Sequence, residues 1–173
     1  MLGMVSALTL SARLSAAEPP PLRFVRTPEG GWETTVTLPA SEPIVRTVLL
    51  DPIAAANLAP DIRAIAYVED GECDTLSVET AGFASVTYVY RRCPTTDGWH
   101  EWLLSSSSLD VYEVRWRLLA QGPVTHVTYM VRIDPRLPAP DFVLASRVRG
   151  TMTSVLNGLF RTVAPAPGAP QAE

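Results

Sequence analysis

The order of its periodic segments constrains this chain most. Strand-like alternation dominates from Trp32 to Ile133, two short helical signals interrupt it early, and one long amphipathic helix closes it from Asp141 to Val163. A helix with one apolar side, following a run of antiparallel strands, must bury that side on the sheet. The expected fold is therefore α+β, a curved sheet of seven antiparallel strands around its C-terminal helix, with two short helices after strand one. A sheet bent around a helix leaves an apolar hollow between the two, and ligand sites favour such concave, mostly hydrophobic enclosures.

The first strand reads as a bent one from Phe24 to Leu38, interrupted at Pro28-Glu29-Gly30-Gly31, with Trp32, Thr34, Val36 and Leu38 on one face. Ser41 is placed as an N-cap with Pro43 in the first turn, and Asp51-Pro52 repeats that signal for a second short helix ending at Leu58. Strands follow over Ile62 to Glu69, Cys73 to Thr80, Ser85 to Arg92, Trp99 to Leu104, Leu109 to Leu119 and Val124 to Ile133. The fifth is apolar on both parities, so its facing stays open. If its even face turned inward, His100 and Trp102 would join Tyr88 and Tyr90. Pairing the last two strands with Trp116 opposite Val127 and Val114 opposite Tyr129 brings their apolar faces together. On the closing helix, Phe142, Ala145, Val148, Met152, Val155, Leu156 and Leu159 recur at helical spacing.

A length of 173 residues fits one domain with a core of its own. A net charge of −4, with basic residues dispersed among acidic ones, offers no footprint for nucleic acid. No apolar run approaches the roughly 20 residues of a membrane span. Residues 1–17, apolar from Leu2 to Leu10 and ending in Ser15-Ala16-Ala17, read as a secretory signal segment, although no Lys or Arg precedes the apolar stretch. The folded domain is expected over 18–163 and a Pro/Ala/Gly-rich disordered tail over 164–173.

Centring the hairpin of strands three and four on Phe83 sets Cys73 directly opposite Cys93, within reach of a disulfide. A Cys73–Cys93 bridge fits a periplasmic or secreted protein. The alternative is two free thiols in a cytoplasmic one.

Little in the sequence forces a chemistry. His100 and His126, with both cysteines paired and no HExxH or CxxC spacing, do not make a metal site, and no cofactor motif is present. Ser105 to Ser108 lack the context of a nucleophile and read as a polar loop. His126 lies on the polar parity of its strand, whereas His100 could act as an acid or base if it faced the hollow. The most suggestive group is aromatic: Tyr88, Tyr90, Trp102, Trp116 and Tyr129 offer large apolar contact area with a few polar edges. With Val114, Val148 and Met152 they form the candidate ligand wall; the competing reading is that they simply fill a core.

In its arrangement the chain resembles the START-like (SRPBCC) superfamily of helix-grip domains, which includes polyketide cyclase/dehydrase, lipid-transport and coenzyme Q-binding proteins. The carriers are the run Leu38 to Val45 entering a helix, Leu50-Asp51-Pro52 before a short one, and Ala59-Pro60-Asp61 leading into strand two. Further on they are Val114-Arg115-Trp116, Val127-Thr128-Tyr129 and Leu137-Pro138 before the long helix. The resemblance implies the fold; the apolar hollow, with no cluster that forces a chemistry, leads to the expectation of non-enzymatic binding or transport of a lipid, quinone or polyketide-like molecule, with transient membrane contact as a further partner. The resemblance transfers no catalytic residue. The alternatives are a cyclase- or isomerase-like enzyme using the same hollow, and an interaction module whose hollow is filled.

Overall fold

The computed structural model describes residues 18–59, 61–81 and 86–164. The expected leader, the tail beyond Ala164 and the tip of the Phe83 hairpin lie outside them.

The chain order is β1 (Val25–Arg26), β2 (Trp32–Leu38), α1 (Glu42–Leu50), α2 (Pro52–Leu58), β3 (Ile62–Asp70), β4 (Cys73–Thr80), β5 (Val86–Thr95), β6 (Gly98–Ser106), β7 (Leu109–Gln121), β8 (Val124–Pro135) and α3 (Asp141–Val163). The strands form one antiparallel sheet in the order β1-β2-β8-β7-β6-β5-β4-β3. Its meander from β3 to β8 closes against the N-terminal hairpin, and α3 lies across the concave face.

Among the described residues the sheet has eight strands rather than seven. The expected bent first strand is a hairpin, because Gly30 adopts φ 89° and reverses the chain. Thr27 closes that turn, its Oγ1 accepting from the Gly31 N–H at 2.9 Å. Helix α1 starts at Ser41 without a side-chain cap, whereas Asp51 caps α2 by accepting from the Ile53 and Ala54 N–H groups at 2.8 and 3.2 Å.

Register differs from expectation in one hairpin. Trp116 stands opposite Tyr129 and Val114 opposite Val131, two residues from the expected pairing. The turn residues are Gly122-Pro123, with Gly122 at φ 60° as a two-residue hairpin turn needs in its first position. A slip of two preserves the facing, so both strands still present their aromatic sides inward. The β4–β5 hairpin matches expectation, running from Thr80 opposite Val86 to Asp74 opposite Arg92, and Cys73 is bonded to Cys93 beyond that last pair, with Cα atoms 4.3 Å apart.

The pairing across β5 and β6 decides the open facing. Tyr90 stands opposite Leu103 and Arg92 opposite Glu101, so the odd residues of β6 share the inner face with the even residues of β5. Trp99 and Glu101 are buried, whereas His100 and Trp102 lie on the outer face with ring centroids 5.2 Å apart.

Two apolar clusters form. The larger joins β2, β7 and β8 to α1, α2 and the later turns of α3, through residues such as Leu38, Val45, Trp116, Val127, Met152 and Leu159. The smaller is Leu76, Val78 and Tyr90 on β4 and β5. A helix about 10–12 Å across cannot cover eight strands spaced about 4.8 Å apart. The helix packs on the β2–β8 side, and the inner face of β3–β6 is left facing a gap.

Candidate ligand cavity

That gap is a cavity of about 790 Å³ between the two clusters. Its size falls within the range of small-molecule sites, roughly 300–1,000 Å³. Tyr88 and Tyr90 from β5, Val114 and Trp116 from β7, Tyr129 from β8, and Val148 and Met152 from α3 all line it. The space the aromatic residues enclose is thus not filled by their own side chains. Trp102 does not line it, because the odd parity of β6 points inward.

Local structure explains each placement. Tyr88, Tyr90 and Tyr112 stand on the inner face of β5 and β7 with ring centroids 4.8 to 6.0 Å apart, forming one aromatic wall. Trp116 lies on Tyr129 with centroids 3.9 Å apart and planes at 15°. Val148, Thr151, Met152 and Val155 recur at helical spacing and turn one side of α3 towards the cavity.

A buried charged pair interrupts this apolar lining, to which Asp61, Thr80, Arg147 and Thr151 add polar groups elsewhere. Among the described residues the buried charged side chains are Arg92 and Glu101, and both face the cavity. Glu101 Oε1 accepts from the Trp99 indole N–H at 3.2 Å, and Oε2 accepts from the Tyr112 hydroxyl at 3.1 Å. Burial pushes the Glu101 carboxyl up to about 7; Arg92, Tyr112 and the two indoles pull against it. Tyr88, Tyr90, Tyr112 and Tyr129 are all raised above the ordinary phenol range, burial first and then the Glu101 charge. These phenols stay protonated and act as neutral hydrogen-bonding groups. Arg92 donates to Asp74 and to the Leu50 carbonyl. Sequence reading missed Glu101, because strand five offered apolar residues on both parities; the signal was Trp99 and Trp102 falling on opposite ones.

The other candidates have structural partners. His100 Nε2 contacts Glu113 Oε1 at 3.0 Å on the outer face, where Arg115 also reaches Glu113 at 2.6 Å. Although partial burial opposes it, the pull of Arg115 and His100 holds Glu113 below its ordinary range. His126 bridges Thr37, 2.9 Å from its Nδ1, and Gln121. Ser106 organises the β6–β7 turn, accepting from the N–H groups of Ser108 and Leu109 at 3.1 and 3.2 Å. Among the described residues no three His, Cys, Asp or Glu side chains gather as a metal site requires.

The cavity mouth lies between the β8–α3 connection, the start of α3 and the α2–β3 connection. Leu137 and Phe142 stand there 80 % and 76 % exposed. Phe142 therefore leaves the buried stripe expected for α3, since the helix runs beyond the sheet at its first turn. A groove of about 470 Å³ beside Phe142 and Gly150 shares Ala59, Asp61, Val143, Arg147 and Thr151 with the cavity lining and forms its outer lip.

No protein-family model matches the sequence and no curated protein matches it. Solved structures do match in fold. The Zhui aromatase/cyclase from Streptomyces sp. R1128 superposes with a TM-score of 0.67 at 17% identity, over 83% of this chain and 94% of that one. A START superfamily protein from Mycobacterium smegmatis gives 0.68 at 18%, over 77% and 96%. A STAR-related lipid transfer protein from Xanthomonas axonopodis gives 0.63 at 16%, over 83% and 99%. The fold is thus the START-like helix grip that the arrangement of the sequence resembled.

Proposed function

We propose that this START-like fold serves a binding protein that encloses a hydrophobic small molecule, a lipid, quinone or polyketide-like compound, without turning it over. The observation that carries this reading is the open 790 Å³ cavity, whose walls are mostly apolar and aromatic. Burying about 400 Å² of apolar ligand surface there gains about 10 kcal/mol, which exceeds the lower estimates of the cost of association, about 4 kcal/mol. A small polar molecule gains too little.

The exposed Leu137 and Phe142 at the mouth support transient contact with a membrane during loading. The Cys73–Cys93 bridge supports a periplasmic or secreted location over a cytoplasmic one.

The test is native mass spectrometry of protein purified from its own envelope, together with thermal shifts against a lipid and quinone panel. A co-purifying apolar molecule, or a clear rise in Tm with one panel class, supports the reading. No bound molecule and no shift with any class overturns it.

One observation favours the cyclase- or isomerase-like alternative: a buried carboxyl pushed up to about 7 can give and take a proton near neutral pH. In that reading Glu101 takes the role first considered for His100, which faces outward.

A further inference from the structure

Arg92 and Glu101 occupy directly opposed positions on β5 and β6. Both face the cavity, with exposures of 5 % and 6 %. Opposite charges so placed gain most by closing on each other, because a buried ion without a counter-ion is costly. Arg92 instead turns to its other neighbour. Its Nε and Nη2 donate to Asp74 Oδ2 at 3.1 and 2.7 Å, and Nη2 also donates to the Leu50 carbonyl at the end of α1 at 3.2 Å. Asp74 is the residue directly across from Arg92 on β4. The guanidinium thus stands between two carboxylates on its two flanking strands, and Asp74 holds it.

Glu101 is left with neutral donors, Trp99 on one oxygen and Tyr112 on the other, with the Trp116 indole as a third. An ionised carboxylate has about four acceptor sites. Acceptor capacity therefore remains on a group that lines the cavity.

We propose that Asp74 is a positioning residue that keeps Arg92 off Glu101, so that Glu101 selects, among apolar molecules entering the cavity, those carrying a hydroxyl or other hydrogen-bond donor at one end. This rests on the reading of the cavity as a ligand site. A buried group built to pair with a donor rejects an analogue that lacks it more strongly than an apolar wall rejects a small difference in size. Without the Asp74 charge, the Arg92 guanidinium turns to the facing carboxylate, occupying the acceptor the ligand would use. The Cys73–Cys93 bridge supports the arrangement. Each cysteine is covalently next to one member of the Asp74–Arg92 pair, and that pair ends the β4–β5 ladder, where an unbridged hairpin frays first.

Two fluorescent probes of nearly equal size, 1-pyrenemethanol and 1-ethylpyrene, test this by titration at mildly alkaline pH. The wild-type protein should prefer the alcohol by about tenfold. Asp74→Asn should lose that preference, and Asp74→Asn combined with Arg92→Met should recover it, because nothing then competes for Glu101. Arg92→Met alone should keep it, which preserves the test if Asp74→Asn does not fold, and Asp74→Glu, retaining the carboxylate, should keep it too; both proteins carrying Arg92→Met are titrated at a higher pH, because without the guanidinium the Glu101 carboxyl is raised further. Equal affinity of both probes for the wild type overturns the selectivity while leaving the cavity a binding site. Full preference in Asp74→Asn, or its loss in Arg92→Met, overturns the role of Asp74. Binding of neither probe overturns this inference, and a silent lipid and quinone panel besides overturns the ligand-site reading as well.

Discussion

Trp116 on β7 and Tyr129 on β8 are cross-strand partners whose rings stack 3.9 Å apart. The pair is buried at 6 % and 7 % exposure and joins the main core to the cavity wall. Trp116→Ala removes the stack and opens a void where neighbours cannot collapse, so it should destabilise the fold by about 3–5 kcal/mol. Urea denaturation followed by circular dichroism measures this; a loss under about 1 kcal/mol would contradict the packing described.

Glu101 makes stability depend on pH in a stated direction. Its carboxyl binds a proton more tightly in the folded state, about 7 against the ordinary 4.5. Between those values the folded protein holds a proton that the unfolded chain has released, so stability falls as pH rises. The contribution is fully present below the unfolded value and is lost through the folded one, about 3 kcal/mol in all. Urea midpoints of the wild type and Glu101→Gln across this window check it: the slope should vanish in the variant.

Two glycines should respond oppositely to alanine. A Cβ at Gly98 would meet the Trp116 carbonyl oxygen at 1.9 Å, so Gly98→Ala forces β6 away from β7 and should cost more than about 3 kcal/mol. Around Gly150 on α3 nothing lies within 4 Å of the added atom. Gly150→Ala should stabilise by about 0.5–1 kcal/mol through helix propensity. Melting temperatures of the two variants distinguish these effects.

Replacing both Cys73 and Cys93 by serine opens a link between residues 20 positions apart and should cost about 3 kcal/mol. The intact mass of the untreated protein, two hydrogen atoms below the reduced chain, confirms the bond independently.

His100 provides the converse test. It lies on the outer face against Glu113, half-exposed. His100→Ala should change stability by less than about 1 kcal/mol and leave ligand affinity unaltered. A large loss of binding would mean that β6 presents its other face.

Periodicity and punctuation carried much of the architecture. The boundaries of α3, the Asp51 cap, the hairpin that joins Cys73 to Cys93 and the inward parity of β4, β5, β7 and β8 were legible because each rests on local repeats of 2 or 3.6 residues and on turn chemistry. Seven of the eight expected wall residues reach the cavity for the same reason: Tyr88, Tyr90, Val114, Trp116, Tyr129, Val148 and Met152 lie on faces their own segments define. Trp102 fails because β6 is apolar on both parities, so its facing follows from the pairing of Arg92 with Glu101 rather than from its own sequence.

What the tertiary structure alone decided is therefore relational. Whether the aromatic residues fill a core or enclose a space depends on how far α3 reaches across the sheet. The two-residue register of Trp116 and Tyr129 depends on which pair of residues forms the Gly122-Pro123 turn. The choice of Arg92 between Asp74 and Glu101 depends on three strands meeting at once. Local sequence fixes which side of an element is apolar, but contacts between residues distant along the chain are set by a packing that no single segment encodes.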